Sequence, residues 1–145
     1  MPGRNVRAVR PSVGACSLPR VADHVELDVP LTSRYASTVR AVAASVGAEL
    51  GFSVDDIDDL RLGVNEAVSI LGDIDDATQA RLHIRFETGG GAVTVRCSRR
   101  GVDEPVAEDD IDVLARRILD AVVDEYSVDG SGRITVVKRP RAAVG

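Results

Sequence analysis

The chain has 145 residues, 44% of them apolar and 28% charged, which is enough for one domain with a sizeable core. Its unbroken apolar runs are only a few residues long, so the sequence predicts no bilayer-spanning helix. The net charge is −5, and because residues 1–20 hold four arginines and no acid, residues 21–145 carry −9. A body this acidic argues against binding a nucleic-acid backbone and suits a partner with a basic surface, although net charge also simply keeps a domain soluble.

With two Phe, two Tyr and no Trp, the core must come from Val, Leu, Ile and Ala. Lys138 is the only lysine, and the excess of Arg, Ala, Val and Asp suggests a GC-rich bacterial genome. Cys16 and Cys97 form neither a disulfide framework nor a metal-ligand spacing. Val13-Gly14-Ala15-Cys16 resembles a lipoprotein cleavage box, but Arg7, Arg10 and Pro11 interrupt the apolar stretch that should precede it. A reducing, cytoplasmic setting is the expectation.

Residues 1–22, rich in Arg, Pro, Gly and Ser, read as a disordered basic tail. From His24 to Leu31 the sequence alternates, with Val25, Leu27, Val29 and Leu31 on the inward side of a strand. Thr32 or Ser33 caps a helix to about Leu50, with the stripe Tyr35, Val39, Val42, Val46 and Leu50. Gly51 ends it, and Ser53 caps a second helix to about Leu71, where Asp55 and Asp56 favour the positive end.

A polar loop, 72–78, leads to a strand over Ala80–Glu87 with Ala80, Leu82, Ile84 and Phe86 inward. Gly89-Gly90-Gly91 turns the chain into a partner strand with Val93, Val95 and Cys97 inward. After a loop over Arg99–Glu108, Asp109 or Asp110 starts a third helix to about Glu125, its apolar face Ile111, Leu114, Ile118 and Val122. A last hairpin joins Tyr126–Val128 to Arg133–Lys138 around Asp129-Gly130-Ser131-Gly132, and residues 140–145 read as a frayed end. The order β-α-α-β-β-α-β-β predicts an α+β, two-layer sandwich: a mixed, mostly antiparallel sheet with helices on one face. The folded domain is expected over 23–139.

The second helix is unusual. Ile57, Leu60, Val64, Ala67, Val68 and Leu71 make its core stripe, yet Leu62, Gly63 and Ile70 surround a single Glu66 on the back. At 100° per residue Glu66 lies almost opposite the stripe. It is either a carboxylate in an apolar neighbourhood with a raised pKa and a task, or a solvated side chain among scattered apolar residues.

The segment Asp55-Asp56-Ile57-Asp58-Asp59-Leu60-Arg61-Leu62-Gly63-Val64-Asn65-Glu66-Ala67-Val68-Ser69 resembles the signature helix of bacterial anti-sigma-factor serine kinases. These belong to the GHKL, or histidine-kinase-like ATPase, superfamily, and the element order is similar over about residues 23–139. The resemblance implies an ATP-Mg²⁺ site built from three motifs. Glu66 matches the Glu of the first, which serves as base or orienter, but Ile70 stands where the Mg²⁺-binding Asn belongs. An aliphatic side chain cannot ligate a hard cation. Asn65 is adjacent to Glu66 and points about 100° away from it. In the second motif, Asp-x-Gly-x-Gly, the alignment Arg99-Arg100-Gly101-Val102-Asp103 keeps Gly101 but puts Arg99 at the adenine-reading Asp and Asp103 at a Gly. A guanidinium has no acceptor for an amino group. The third, a phosphate-cradling Gly-x-Gly, corresponds to Asp112–Arg117, which has no glycine, although Arg116 and Arg117 carry charge.

Hydrogen bonds to charged groups contribute about 1.5–3 kcal/mol each. Losing two removes about 3–6 kcal/mol, roughly a hundred- to ten-thousand-fold in affinity. Weak or absent ATP binding is therefore the expectation, with Asn65, Glu66, Gly101 and Asp103 the candidate nucleotide contacts and Glu66 the catalytic residue of any active form. The resemblance implies a sigma factor and an anti-anti-sigma (STAS-type) protein as partners, and a homodimer as a further possibility. Arg34, Ser37, Arg40 and Glu49, on the exposed side of the first helix, are the candidate partner contacts. Three uses of the fold stay open at this point: a regulatory binding protein, an ATP-dependent protein serine kinase, and a fold kept only for dimerisation.

Overall fold

The computed structural model describes residues 23–72 and 79–141. The predicted basic tail, with Cys16 and the box before it, most of the polar loop after the second helix, and residues 142–145 lie outside the described residues.

Five strands and three helices follow the expected order: β1 (His24–Pro30), α1 (Ala36–Glu49), α2 (Val54–Leu71), β2 (Arg81–Gly89), β3 (Ala92–Arg100), α3 (Val113–Val122), β4 (Glu125–Val128) and β5 (Ile134–Lys138). The strands make one sheet in the order β1-β2-β3-β5-β4, and every neighbouring pair is antiparallel, not mixed. The alternation sets the register. Leu82, Ile84 and Phe86 on β2 and Val93, Val95 and Cys97 on β3 all turn into the core. Burial pushes the Cys97 thiol up to about 12, so it is an inert core group. On β1, Val29 is buried, whereas Val25, predicted inward, is 46% exposed at the sheet edge.

The helices lie against one face. Thr32 caps a short 3-10 turn over Ser33–Tyr35 that leads into α1. Val39, Ala43, Val46 and Gly47 are the buried side of α1. Helix α2 begins with the Ser53 hydroxyl accepting the Asp56 N–H at 3.1 Å. Its buried residues are Asp56, Leu60, Gly63, Val64, Ala67 and Leu71. Among the described residues, no helix is long and apolar enough to cross a membrane.

Three further sequence expectations need correction. The outer face of α2 does not exist as predicted. Gly63 is buried, because a Cβ there would lie 2.4 Å from Val123 Cγ1, while Ile70 is half-buried against the core and Leu62 is 42% exposed. The third helix starts later, ends earlier and turns another face inward. Ile111 is buried but extended, and the Asp112 carboxylate accepts the Ala115 N–H at 2.7 Å, starting the helix at Val113. The phase taken from Ile111 therefore does not carry into the helix, whose buried side is Ala115, Leu119 and Val122, with Leu114 68% exposed. It ends at Val122 because Val123 is already extended toward β4. The loop after β3 is likewise shorter than predicted, since β3 runs to Arg100.

Asp56 does more than face a helix dipole. With Lys138 of β5 it is the buried charge of the core, at 2% and 5% exposure. Lys138 Nζ lies 3.7 Å from Asp56 Oδ1 and 3.4 Å from Asp59 Oδ2. The Arg141 N–H donates to Asp56 Oδ2 at 3.1 Å, and its guanidinium pairs with Asp59. Burial alone would raise the Asp56 pKa. The Arg141 N–H, the Ser53 contact and the charges of Lys138 and Arg141 outweigh it and hold the carboxyl below its ordinary value.

Candidate functional site

Of the residues singled out by motif, Asn65, Glu66 and Ile70 stand on the second half of α2, and Arg99 reaches its end from β3. Glu66 is half-buried there, one residue from Asn65, whose Oδ1 accepts a 2.9 Å hydrogen bond from Arg40 Nη1 of α1. Asn65 is thus engaged in joining the two helices. Ile70, one turn beyond Glu66, packs on the core and offers no oxygen. A hollow of about 280 Å³ opens beside this stretch, between the start of α1 and the end of α2, lined by Leu31, Thr32, Asn65, Val68, Ser69 and Gly72.

At the C-terminal end of α2 the last carbonyls lack partners within the helix and carry partial negative charge. Arg99, at the end of β3, supplies a cation: Nη1 donates to Leu71 O at 3.0 Å and Nη2 to Glu104 O at 2.5 Å. Its guanidinium therefore ties helix, strand end and the following loop together. Gly101 turns the chain with φ +80°, and a Cβ there would lie 3.2 Å from Gln79 O. Asp103 stands exposed in that loop.

The N-terminus of α3 is closed. Asp112 occupies the cap position with a carboxylate, satisfying a helix N–H and placing negative charge where a phosphate would otherwise be drawn. Arg116 turns back to its own approach segment, with Nε 3.2 Å from Ile111 O and Nη2 2.6 Å from Glu108 O. Arg117 is exposed. The residues at the three motif positions therefore do not fit Mg²⁺-ATP: an alkyl group where a metal ligand belongs, a donor where an acceptor belongs, and an anion at the phosphate cradle.

The candidate partner contacts differ among themselves. Ser37 and Glu49 are exposed on α1, and Arg34 lies in the preceding turn with its guanidinium 5.9 Å from the Tyr35 ring centroid. Arg40, predicted to be exposed, is half-buried by its bond to Asn65. The structure brings Arg40 to Asn65 and Arg99 to the end of α2. It does so through tertiary contacts with no local sequence signal, whereas Asp112 three residues before Ala115 is a readable cap pattern.

A five-stranded antiparallel sheet with its helices on one face, in this element order, is the histidine-kinase-like ATPase fold. The RsbU and RsbW domains of Rv1364c from Mycobacterium tuberculosis match it with a TM-score of 0.57 and 22% identity, covering 81% of this chain and 32% of that one. In sequence, the serine-protein kinase RsbW of Bacillus licheniformis is 23% identical over 135 residues, covering 81% of this chain and 84% of its own length. The RsbW of Bacillus subtilis strain 168 is 31% identical over 75 residues, 52% of this chain and only 41% of that protein. No protein-family profile matches the chain. The chain is thus similar to RsbW in sequence and shares the fold of an RsbW domain.

Proposed function

We propose that the protein is a bacterial, cytoplasmic anti-sigma-factor-like regulator. It controls transcription by binding a sigma factor or an anti-anti-sigma, STAS-type partner, with weak or lost ATP binding. Kinship with RsbW supports the regulatory part. The observation that carries the nucleotide part is the Arg99 guanidinium held between Leu71 O and Glu104 O, in the position of the adenine-reading acid. A donor fixed in this way repels the amino edge it would have to read. Partner binding falls to Arg34, Ser37, Arg40 and Glu49, which lie along α1 and the turn before it. Arg40 also couples that surface to α2 through Asn65.

Calorimetric titration with ATP and Mg²⁺ tests this reading, on the wild-type chain and on Glu66→Ala. No heat of binding in either is the expected result. Micromolar binding would overturn it, and binding lost in Glu66→Ala would favour a protein serine kinase. In that case Glu66 orients or deprotonates the serine hydroxyl of a STAS-type partner.

A further inference from the structure

The helix-free face of the sheet carries an arrangement that the nucleotide question does not touch. The β2–β3 register sets Arg81 opposite Arg100 and Arg85 opposite Arg96, with His83 opposite Ser98 between them. Like charges directly opposite in an antiparallel pair are destabilising, and here the pattern occurs twice on one short ladder. Arg133, just before β5, borders the same hollow of about 370 Å³.

The acids of this face do not balance it. Asp28 pairs with Arg81 and stands 3.9 Å from Arg100. Glu87 forms ion pairs with Arg96 Nη1, 2.5 Å from Oε2, and Arg85 Nε, 2.7 Å from Oε1, and Arg96 first, then Arg85, hold its carboxyl below the ordinary range. Glu26 lies 3.2 Å from Arg85 Nη1 and 4.0 Å from His83 Nε2. Asp129, in the neighbouring turn, is engaged by Ser131, by the backbone N–H of Arg133 and by the charge of the Arg133 guanidinium. Around the hollow, Arg81, Arg85, Arg96, Arg100 and Arg133 therefore outnumber Glu26, Asp28, Glu87 and Asp129 by one, on a chain whose net charge is −5.

We propose that this face docks an acidic, extended segment of a protein partner, with carboxylates meeting Arg96, Arg100 and Arg133. Guanidinium forks match carboxylates in geometry. Of the rings on which a base could stack, the hollow offers only the His83 imidazole and no Phe, Tyr or Trp, and the acidic body around it disfavours a long phosphate chain. The surface lies across the sheet from the helices, so it is separate from the α1 surface proposed above and does not depend on that reading.

The test is fluorescence anisotropy of the full chain with a dye-labelled peptide of alternating Glu and Ser. It compares wild type, Arg100→Ser/Arg133→Ser, and Arg117→Ser on α3 as a basic control. The wild type should bind, and binding should weaken between roughly 50 and 300 mM salt as the charges are screened. The double variant should bind at least about tenfold more weakly at low salt, while Arg117→Ser should not differ from wild type. Both substituted arginines are exposed, and a thermal melt of the double variant should coincide with that of the wild type. Should it shift, Arg100→Lys/Arg133→Lys, which keeps the charge, must recover most of the binding for the proposal to stand. The proposal fails if the peptide does not bind, or if binding persists unchanged in the double variant, which would assign it to the N-terminal arginines. Equal loss in Arg117→Ser, or tighter binding of a single-stranded oligonucleotide of the same charge, also defeats it. A wild-type dimer that the double variant dissociates would make the occupant a second copy and overturn the proposal.

Discussion

The two ends of α2 are both closed by charge from the sheet, and they differ in what that charge faces. At the N-terminal end, Asp56 and Asp59 meet Lys138 of β5 and Arg141 just beyond it, in a network whose centre is almost fully buried. At the C-terminal end, a single half-buried arginine, Arg99, meets neutral carbonyls. Removing one member of the first set strands another charge out of water, which is far more costly than returning a carbonyl to solvent. The N-terminal end therefore anchors helix to sheet. The C-terminal end, held by one arginine, has room to change without loss of the fold.

Lys138→Ala should break this contrast most severely. It leaves Asp56 buried without its strand partner and should cost about 3–5 kcal/mol in chemical denaturation. The same network has a pH signature. Because the folded Asp56 pKa is depressed, its contribution is present above the ordinary Asp value near 3.9 and is lost as pH falls through the lower folded value. Asp56→Asn should be less stable than wild type at neutral pH, with a flatter stability profile at acid pH. Equal acid slopes for the two proteins would deny the network this role.

Midway along the helix, Gly63→Ala should cost about 1–3 kcal/mol, since the added methyl meets Val123 and the helices must separate. Arg99→Ala should cost about 1.5 kcal/mol, the lower end for a charged hydrogen bond, and should leave the melt cooperative. If it proved as damaging as Lys138→Ala, the distinction between the two ends would be lost. Ser37→Ala, on the exposed side of α1, should shift stability by no more than about 0.5 kcal/mol, so that any loss of partner binding reads as a lost contact.

Much of this architecture was legible before any coordinates. The boundaries of α2 follow from Ser53 and Gly72, and the β2–β3 hairpin follows from alternation on either side of Gly89-Gly90-Gly91. The sequence pattern misphases helix α3 because Ile111 looks like a helical core residue. Only the Asp112 cap, with Ile111 extended before it, shows that the apolar face begins afresh. Periodicity puts Gly63 on the outer face because a residue without a side chain carries no hydrophobic signal, although its smallness is what admits Val123.

Chemistry at the motif positions could be read as absences: an Ile for an Asn, an Arg for an Asp, no glycines at the third helix. What those residues do instead could not. By itself the sequence determined the periodicities, the caps and the turns, because each depends on neighbours within about one helical turn or one hairpin. The tertiary structure alone decided that Arg99 closes α2, that Arg40 holds Asn65, that Lys138 reaches Asp56, and that arginines stand opposite one another on the outer sheet. These contacts join residues far apart in the chain, and their energies arise from burial and charge set by packing, which no local pattern encodes.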